Sequence, residues 1–362
     1  MWSNRGRLPL LLTGDRYCDP ANHERELDRL FRPSWHCVGS LDDLARDGDF
    51  ITLDLLGRPL LVRRSGGLVR AFLNVCAHRH AKLTGDKSGR CDRIRCQYHG
   101  WEYDDEGAVR KVPDARSFLP IERGGEGLRQ LRAATCGKLV FVSLAAEGPA
   151  LAESLGEETR SLLEEGFSDR FHTVARWEID HAANWKIPVE NSLESYHVPV
   201  VHPDTLATMP KEERHELGDR STSYEDWEDA RSPYYRLLMR AVRRSPRYSY
   251  RHHHSYPSLT LALSDLMSYL HVVVPTSPTT SRSLVRVFLY EGERGVLGAR
   301  LLSWLAGPAL RRYVAKVLAA DGAIFEDIQR GLTSPDKPGP GSIGAREERV
   351  HAFQSWVVKA VG

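Results

Sequence analysis

The chain has 362 residues, 41% hydrophobic and 27% charged. That composition excludes a disordered chain and, at roughly 150 residues per domain, predicts two domains. Fifty Lys and Arg against 48 Asp and Glu leave a formal charge of +2, so no net charge draws the protein to nucleic acid or to an anionic membrane. Six cysteines are too few for a disulfide scaffold. No run of about 18 apolar residues occurs to span a bilayer. The run from Leu8 to Leu12 is too short and too badly flanked for a secretory signal. The expectation is therefore a cytoplasmic protein, in which cysteines serve as metal ligands more often than as disulfides.

Within residues 1–34, Asp19 and Pro20 mark a helix start, and Leu27, Leu30 and Phe31 at helical spacing predict a short amphipathic helix. From about 35 to 148 the pattern changes. Short apolar runs at 50–53, 60–62, 69–73 and 138–144 are punctuated by turn residues such as Ser65-Gly66-Gly67, which predicts an antiparallel β-sandwich. Residues 149–168 read as helix. Strands are predicted at 171–180, 258–264, 268–275 and 282–290, and helices near 300–332 and 344–360, with a loop at 335–342. The fold class is α+β, with a sandwich at 35–148 and a second domain from 1–34 and 149–362 that sets helices against a curved antiparallel sheet. Residues 210–250, polar and rich in Arg and Tyr, suit a lid or a subunit contact, and the sequence leaves both open.

Two of the cysteines have a histidine close by. Cys76-Ala77-His78 and Cys96-Gln97-Tyr98-His99 are separated by the 17 residues between His78 and Cys96, and together they supply four ligands to one site. Structural zinc is the first alternative for a Cys₂His₂ set. A zinc knuckle, however, groups its cysteines and its histidines, whereas each half-site here mixes one of each. That partition suits a [2Fe–2S] cluster with two thiolates on one iron and two imidazoles on the other, an exchange that raises the reduction potential. Cys18, Cys37, Cys91 and Cys136 read as buried free thiols.

A second constellation lies in the segment Asn184–Pro203, where His197 and His202 flank Pro199. Five residues on an unbroken helix would set the two rings about 140° apart. Pro199 argues against a straight helix, so His202 is free to swing round and share a metal with His197. A distant carboxylate would complete a 2-His-1-carboxylate site, the geometry of non-haem iron(II) oxygenases. Taken alone, H-x₄-H is a weak signal.

The flanks make it stronger. CAHRHAKL (76–83) and CQYHGWEYDDEG (96–107) resemble the two ligand boxes of a Rieske iron–sulfur domain of the oxygenase type. About 100 residues later, N-W-K-x₃-E-N-x₂-E-x-Y-H-x₄-H-P resembles the mononuclear-iron motif of Rieske non-haem iron oxygenases, in their aromatic-ring-hydroxylating or quaternary-ammonium type of alpha subunit. Two departures stand out. His80 occupies a place where the first box usually has Gly, and neither box carries the extra cysteine of a bracing disulfide.

The resemblance implies a Rieske domain and a helix-grip catalytic domain, with one [2Fe–2S] cluster and one Fe(II) per subunit. The cluster ligands would be Cys76, His78, Cys96 and His99, with Trp101 packed beneath. The iron ligands would be His197, His202 and Asp321, the last from A319-A-D-G-A-I-F-E-D-I-Q-R-G-L332, which resembles the family pattern D-x₄-E-x₂-Q-R-G-L. Glu326 and Asp327 are the competing acids, and a solvated helix acid is the plain alternative for all three. Glu194 would bridge an iron-ligand histidine of its own subunit to His99 of a neighbouring subunit, with a capping acid as the alternative reading. Asn191 and Tyr196 would line or support the iron pocket.

As the resemblance implies, a separate NAD(P)H-dependent reductase, with or without a ferredoxin, feeds electrons to a head-to-tail homotrimer that uses O₂ to hydroxylate or demethylate a small aromatic or quaternary ammonium substrate. No G-x-G-x-x-G nicotinamide fingerprint is evident, in keeping with a separate reductase. No nucleic-acid or membrane partner is expected. The competing functions are a Rieske-type electron carrier and a zinc-stabilised binding protein. Other features take plain readings. His252, His253 and His254 suit a polar surface or strand edge, and His271, Phe288 and Tyr290 suit the core. Tyr224 and Trp227 are available for an aromatic cage, but nothing in the sequence places them there.

Overall fold

The computed structural model describes residues 6–119, 127–206, 214–227, 249–292, 297–336 and 341–362, with a few further positions between 236 and 247. They divide into two compact units, one of Arg32–Arg160 and one of Met1–Phe31 with Ser161–Gly362. The division falls inside a helix, α2 (Leu151–Gly166), rather than at residue 148. Among the described residues no helix is long and apolar enough to cross a membrane.

The Arg32–Arg160 unit is built of short antiparallel strands: β1 (Trp35–Ser40), β2 (Asp49–Leu55), β3 (Arg58–Ser65), β4 (Leu68–Leu73), β5 (Ser88–Arg90), β6 (Ile94–Arg95), β7 (Glu102–Tyr103), β8 (Val109–Lys111), β9 (Gln130–Cys136) and β10 (Leu139–Ser143). Seven form one sheet in the order β1-β10-β9-β4-β3-β2-β5, and β6-β7-β8 form a smaller one. The β3–β4 hairpin turns on Gly66 and Gly67, both at positive φ (57° and 75°), as a two-residue turn between twisted strands requires. Phe50, Leu61, Phe72, Trp101 and Tyr103 pack into one core together with Cys76 and Cys96.

The two cysteine–histidine loops share one backbone design. In the first, the Cys76 N–H donates to the Ala81 carbonyl (2.8 Å) and the His80 N–H to the Cys76 carbonyl (3.0 Å). In the second, the Cys96 N–H donates to Trp101 (2.9 Å) and the Gly100 N–H to Cys96 (3.0 Å). The fourth residue after each cysteine must then adopt a left-handed φ, 58° at His80 and 73° at Gly100. Glycine takes that conformation freely, whereas a side chain there is strained. His80 is therefore the less comfortable occupant of a position that both loops need.

The other unit carries β11 (Phe171–His181), β12 (Arg214–Leu217), β13 (Ser221–Trp227), β14 (Ser249–Ser255), β15 (Leu259–Leu263), β16 (Met267–Ser277) and β17 (Thr280–Tyr290). They form a single antiparallel sheet in the order β11-β17-β16-β15-β14-β13-β12. The described helices of the chain are α1 (Pro20–Glu26), α2, α3 (Lys186–Ser192), α4 (Val198–Val201), α5 (Leu297–Thr333) and α6 (Glu348–Val361). Asp19 caps α1 by accepting the Ala21 N–H (2.9 Å), and the helix runs on as a π-turn through Leu27–Phe31. Part of the 210–250 stretch supplies β12, β13 and the start of β14, while 210–213 and 228–235 lie outside the described residues. The histidine run is not a polar surface. It belongs to β14, a strand paired on both sides, and His253 and His254 are fully buried.

A buried polar node ties four segments of this unit together. Glu26 accepts from the Lys186 ammonium (2.7 Å), the Trp185 indole (2.7 Å) and Asn22 (2.8 Å). The Lys186 and Glu26 side chains are 0% and 1% exposed. Tyr17 donates to Glu190 (2.6 Å), which also accepts from Gln354 of α6 (3.0 Å). Gln329 of α5 accepts the Asn184 N–H (2.7 Å) and donates to the Tyr17 carbonyl (3.1 Å). Burial lowers the pKa of Lys186 and raises that of Glu190, each against its hydrogen-bond partners.

Two stability predictions follow from these arrangements. His80→Gly relieves the left-handed strain and stabilises the protein by about 0.5–1 kcal/mol, read as a higher urea midpoint. Lys186→Met leaves the Glu26 carboxylate buried without its counter-ion and costs about 3–5 kcal/mol, and adding Glu26→Gln restores part of that loss.

Candidate active site

The cluster loops bring their four predicted ligands to one end of the small sheet. Cys76 and Cys96 are buried, and the His78 and His99 rings lie 4.7 Å apart. Trp101 lies flat against His78 at 4.9 Å, with the ring planes 1° apart, so it fixes that imidazole's orientation. The Tyr103 hydroxyl accepts the Ala77 N–H (3.1 Å), which leaves its own proton for the Cys76 sulfur 3.0 Å away. Burial pushes the Cys76 thiol up, and the Tyr103 hydrogen bond pulls it partly back. Nδ1 of His78 is buried without a hydrogen-bond partner among the described residues, an orphaned lone pair that fits a metal. Two buried thiols and two adjacent imidazoles match the donor set of a mixed-ligand [2Fe–2S] cluster. All six cysteines are free. Cys37 and Cys136 are buried as expected, but Cys18 and Cys91 are only half-buried.

The second site gathers His197, His202 and Asp321, whose ligand atoms lie within 4.8 Å of one another. Oδ1 of Asp321 is 2.9 Å from Nε2 of His202 and 3.6 Å from Nε2 of His197. Pro199 acts differently from the sequence expectation. It stands in the first turn of α4, where a missing N–H costs nothing, and so starts a helix rather than breaking one. His197 caps that single turn, His202 leaves it at φ −120° and ψ 43°, and the two rings end 5.4 Å apart.

Glu194 is both the capping acid and the histidine partner that the sequence offered as alternatives. Its carboxylate accepts the backbone N–H of Tyr196 and of His197 (3.2 Å for the latter) and the Nδ1–H of His197. Holding Nδ1 protonated leaves Nε2 as the lone pair facing Asp321 and His202. Burial lowers the pKa of His197, but the Glu194 hydrogen bond and charge outweigh it, and the net shift is upward. Burial also raises Asp321, against the opposing pull of His202, His197 and the Asn191 hydrogen bond. A buried carboxylate whose charge costs free energy, beside two imidazole nitrogens, fits a divalent cation. Glu326 and Asp327 pair with Arg330 and stay exposed to solvent.

These ligands open onto a cavity of about 520 Å³. Asn191 lines it, whereas the Tyr196 side chain is 62% exposed and does not. The sheet supplies the facing wall through its alternation. Alternate residues in the first half of β16, namely Met267, Tyr269 and His271, line the cavity, as do Tyr250 and His252 of β14. His271 is thus a cavity residue rather than plain core, while Phe288 points to the opposite face and packs on Phe167. His252 stacks on Tyr224 at 5.0 Å. Burial pushes both His252 and His271 down to about 3 and Tyr250 up to about 12, so this wall is neutral. Tyr224 and Asp226 also line the cavity, and the Trp227 side chain lies outside the described residues. His181, Ser283, Tyr250 and Asp226 were not singled out from sequence. Their only signal is period-two polarity on strands, which is weak without knowing which face is enclosed.

Residues 34–131 match the Rieske [2Fe-2S] domain, and residues 168–362 match the ring hydroxylating alpha subunit (catalytic domain). The glycine betaine monooxygenase oxygenase subunit of Pseudomonas aeruginosa is 31% identical over 200 residues, 53% of this chain and 45% of that protein. The chloroplastic choline monooxygenase of Beta vulgaris is 27% identical over 351 residues, 94% and 75% of the two chains. The chain spans about half the length of several curated relatives that it matches. Among solved structures, the quaternary ammonium Rieske monooxygenase CntA with gamma-butyrobetaine superposes with a TM-score of 0.78 at 20% identity, covering 99% and 96% of the two chains. Naphthalene 1,2-dioxygenase with indole bound superposes at 0.73 and 19% identity, covering 95% and 91%. These two likenesses concern the fold, while the family matches cover both ligand constellations. The chain belongs to the ring-hydroxylating alpha-subunit family and carries a Rieske [2Fe–2S] domain ahead of its catalytic domain.

Proposed function

We propose that this chain is the terminal oxygenase component of a Rieske mono- or dioxygenase system. The observation that carries the proposal is the meeting of His197, His202 and Asp321 within 4.8 Å on the wall of a cavity of about 520 Å³, in a chain with a Rieske domain. Cys76, His78, Cys96 and His99 would hold one [2Fe–2S] cluster per subunit, and the three cavity residues one Fe(II). When bound, the cluster supplies single electrons and the iron supplies the chemistry of O₂ reduction.

The protein's own groups prepare that site. Asn191 orients the Asp321 carboxylate by hydrogen bonding to it. Glu194 sets the His197 tautomer and is the coupling acid between His197 and His99 of a neighbouring subunit in a head-to-tail trimer. Electrons come from a separate NAD(P)H-dependent reductase, directly or through a ferredoxin, and the system works in the cytoplasm. The reaction is hydroxylation or demethylation of a small organic molecule.

Of the two substrate classes, aromatic and quaternary ammonium, the cavity favours the cation. None of its described lining residues is Lys or Arg, and it offers Asp226 with Tyr250, Tyr269 and Tyr313. An acid and neutral aromatic faces attract a desolvated cation.

Metal analysis tests the assignment. The reconstituted protein should hold about three iron and two sulfide per chain and give a Rieske-type signal on reduction. Asp321→Ala should lose the third iron and all substrate-triggered O₂ uptake while keeping the cluster signal. Wild-type protein that stays at two iron when Fe(II) is added would instead support an electron carrier, and zinc without sulfide would support the binding-protein reading.

The raised pKa of His197 adds a pH test. Protons compete with Fe(II) for Nε2, so affinity should fall as pH drops through that raised value, by about tenfold per unit. Glu194→Gln removes the charge that holds the value up, so the fall should move to lower pH, as read by anaerobic Fe(II) titration.

A further inference from the structure

The cavity that holds the candidate metal ligands reaches the surface beside Leu206 and Tyr313. These two are the exposed members of its lining, at 41% and 40%, and every other described lining residue is buried or half-buried. They belong to separate segments that meet here. The Tyr313 hydroxyl of α5 donates to the Thr205 carbonyl (3.5 Å), and further along the helix the Lys316 ammonium lies 3.3 Å from the Asp204 carboxylate. Each segment leads directly to a candidate ligand. The N–H groups of Thr205 and Leu206 both donate to the His202 carbonyl (3.1 Å each), so their turn is carried by His202. Tyr313 stands about two turns, or about 12 Å, before Asp321 on α5. Val314, Val317 and Leu318 line the cavity between them, so an apolar path runs from the exposed pair to the ligands. The two ties across this opening are weak. The hydrogen bond is long, and the ion pair is 59% and 77% exposed, where water competes for both charges. Contacts of this kind break and re-form readily, unlike the buried node around Glu26.

We propose that Leu206 and Tyr313 are the two lips of the substrate entrance, held partly closed by the Tyr313–Thr205 and Lys316–Asp204 contacts, and that these residues set which molecules enter and how fast. The proposal rests on reading this cavity as the substrate pocket. The lips and latches take no part in the chemistry at the metal. A latch that forms equally over the empty and the filled cavity has no preference between them. It therefore slows entry and exit by the same factor and leaves the dissociation constant unchanged. A side chain that holds the ligand instead changes the off-rate and the dissociation constant together. Kinetics thus separate a lip from a binding contact. The Leu206 side chain narrows the opening, so bulky molecules are slowed more than small ones.

Ligand pairs of one chemistry and different bulk test this on the reconstituted full chain without O₂, so that no turnover is needed. The pairs are tetramethylammonium against benzyltrimethylammonium, and benzyl alcohol against naphthalenemethanol. Dissociation constants come from equilibrium dialysis, off-rates from ligand-observed NMR exchange, and on-rates from their quotient. In the pair that binds, the bulkier member should enter the wild-type protein at least about fivefold more slowly. Tyr313→Phe keeps the ring and removes the hydroxyl, and Lys316→Ala removes the ion pair. The double variant should raise on-rate and off-rate together by about threefold to tenfold, with dissociation constants kept within about twofold. Leu206→Ala should bring the on-rates of the two members to within about twofold of each other. Retained dissociation constants also show that the variants are folded. Equal on-rates for the two members in the wild-type protein, on-rates unchanged in the variants, or a dissociation constant that moves in step with the off-rate overturn the entrance and leave the pocket reading standing. Failure of every probe to bind the wild-type protein overturns the pocket reading and the entrance with it.

Discussion

A carboxylate with 1% exposure, Glu26, holds the catalytic unit in register. Its partner Lys186 is fully buried, and neither charge is tolerable in that interior without the other. Such a pair adds little net stability against an apolar substitute, but its absence is severe, so it selects one arrangement of the chain over its neighbours. Around it, Trp185 is packed edge-on between Phe31 and Phe353, and Gln329 clasps both Asn184 and Tyr17. The node thus joins the start of the chain to α3, α5 and α6.

That junction explains how three candidate metal ligands, the nearest two of them on different elements and 119 residues apart, come together. His197 and His202 follow directly from α3, whose first residue is Lys186. Asp321 sits on α5 about two turns before Gln329, the residue through which that helix is docked. Arg349 of α6, 1% exposed, donates to the Leu193 carbonyl (2.7 Å) and so steadies the turn that carries Glu194. The two imidazoles and the carboxylate are therefore positioned by protein contacts alone. The energetic cost that remains, a buried carboxylate held at a raised pKa, is of the kind that a bound cation offsets.

The opposite wall of the cavity shows a different principle. A sheet buried on both faces usually presents apolar side chains to each, yet the concave face here carries histidines, tyrosines and a serine. Their protons are shared within the protein, as where Ser283 Oγ lies 2.8 Å from Nε2 of His181 and 2.7 Å from Nε2 of His271, and burial holds the imidazoles neutral. The outcome, from Tyr250 and His252 to Tyr269 and His271, is a stretch of wall that is polar without being charged, facing the candidate metal ligands.

The residues with chemical signatures were legible in the sequence because ligand spacing is local. Each cysteine–histidine loop closes over five residues by its own hydrogen bonds, and H-x₄-H-P is completed by a single helical turn. The long strands and helices were legible for the same reason, since their periodicity is carried within one segment. What only the tertiary structure decided is where separate segments meet. The three-histidine run reads as surface until β14 is seen paired on both sides, and His181, Ser283 and His271 become one unit only through strand register. Asp321 stands apart from Glu326 and Asp327 by its rotation on α5, which turns one acid toward the cavity and the others to solvent. Burial, register and helix rotation belong to the packed molecule, and no stretch of sequence carries them on its own.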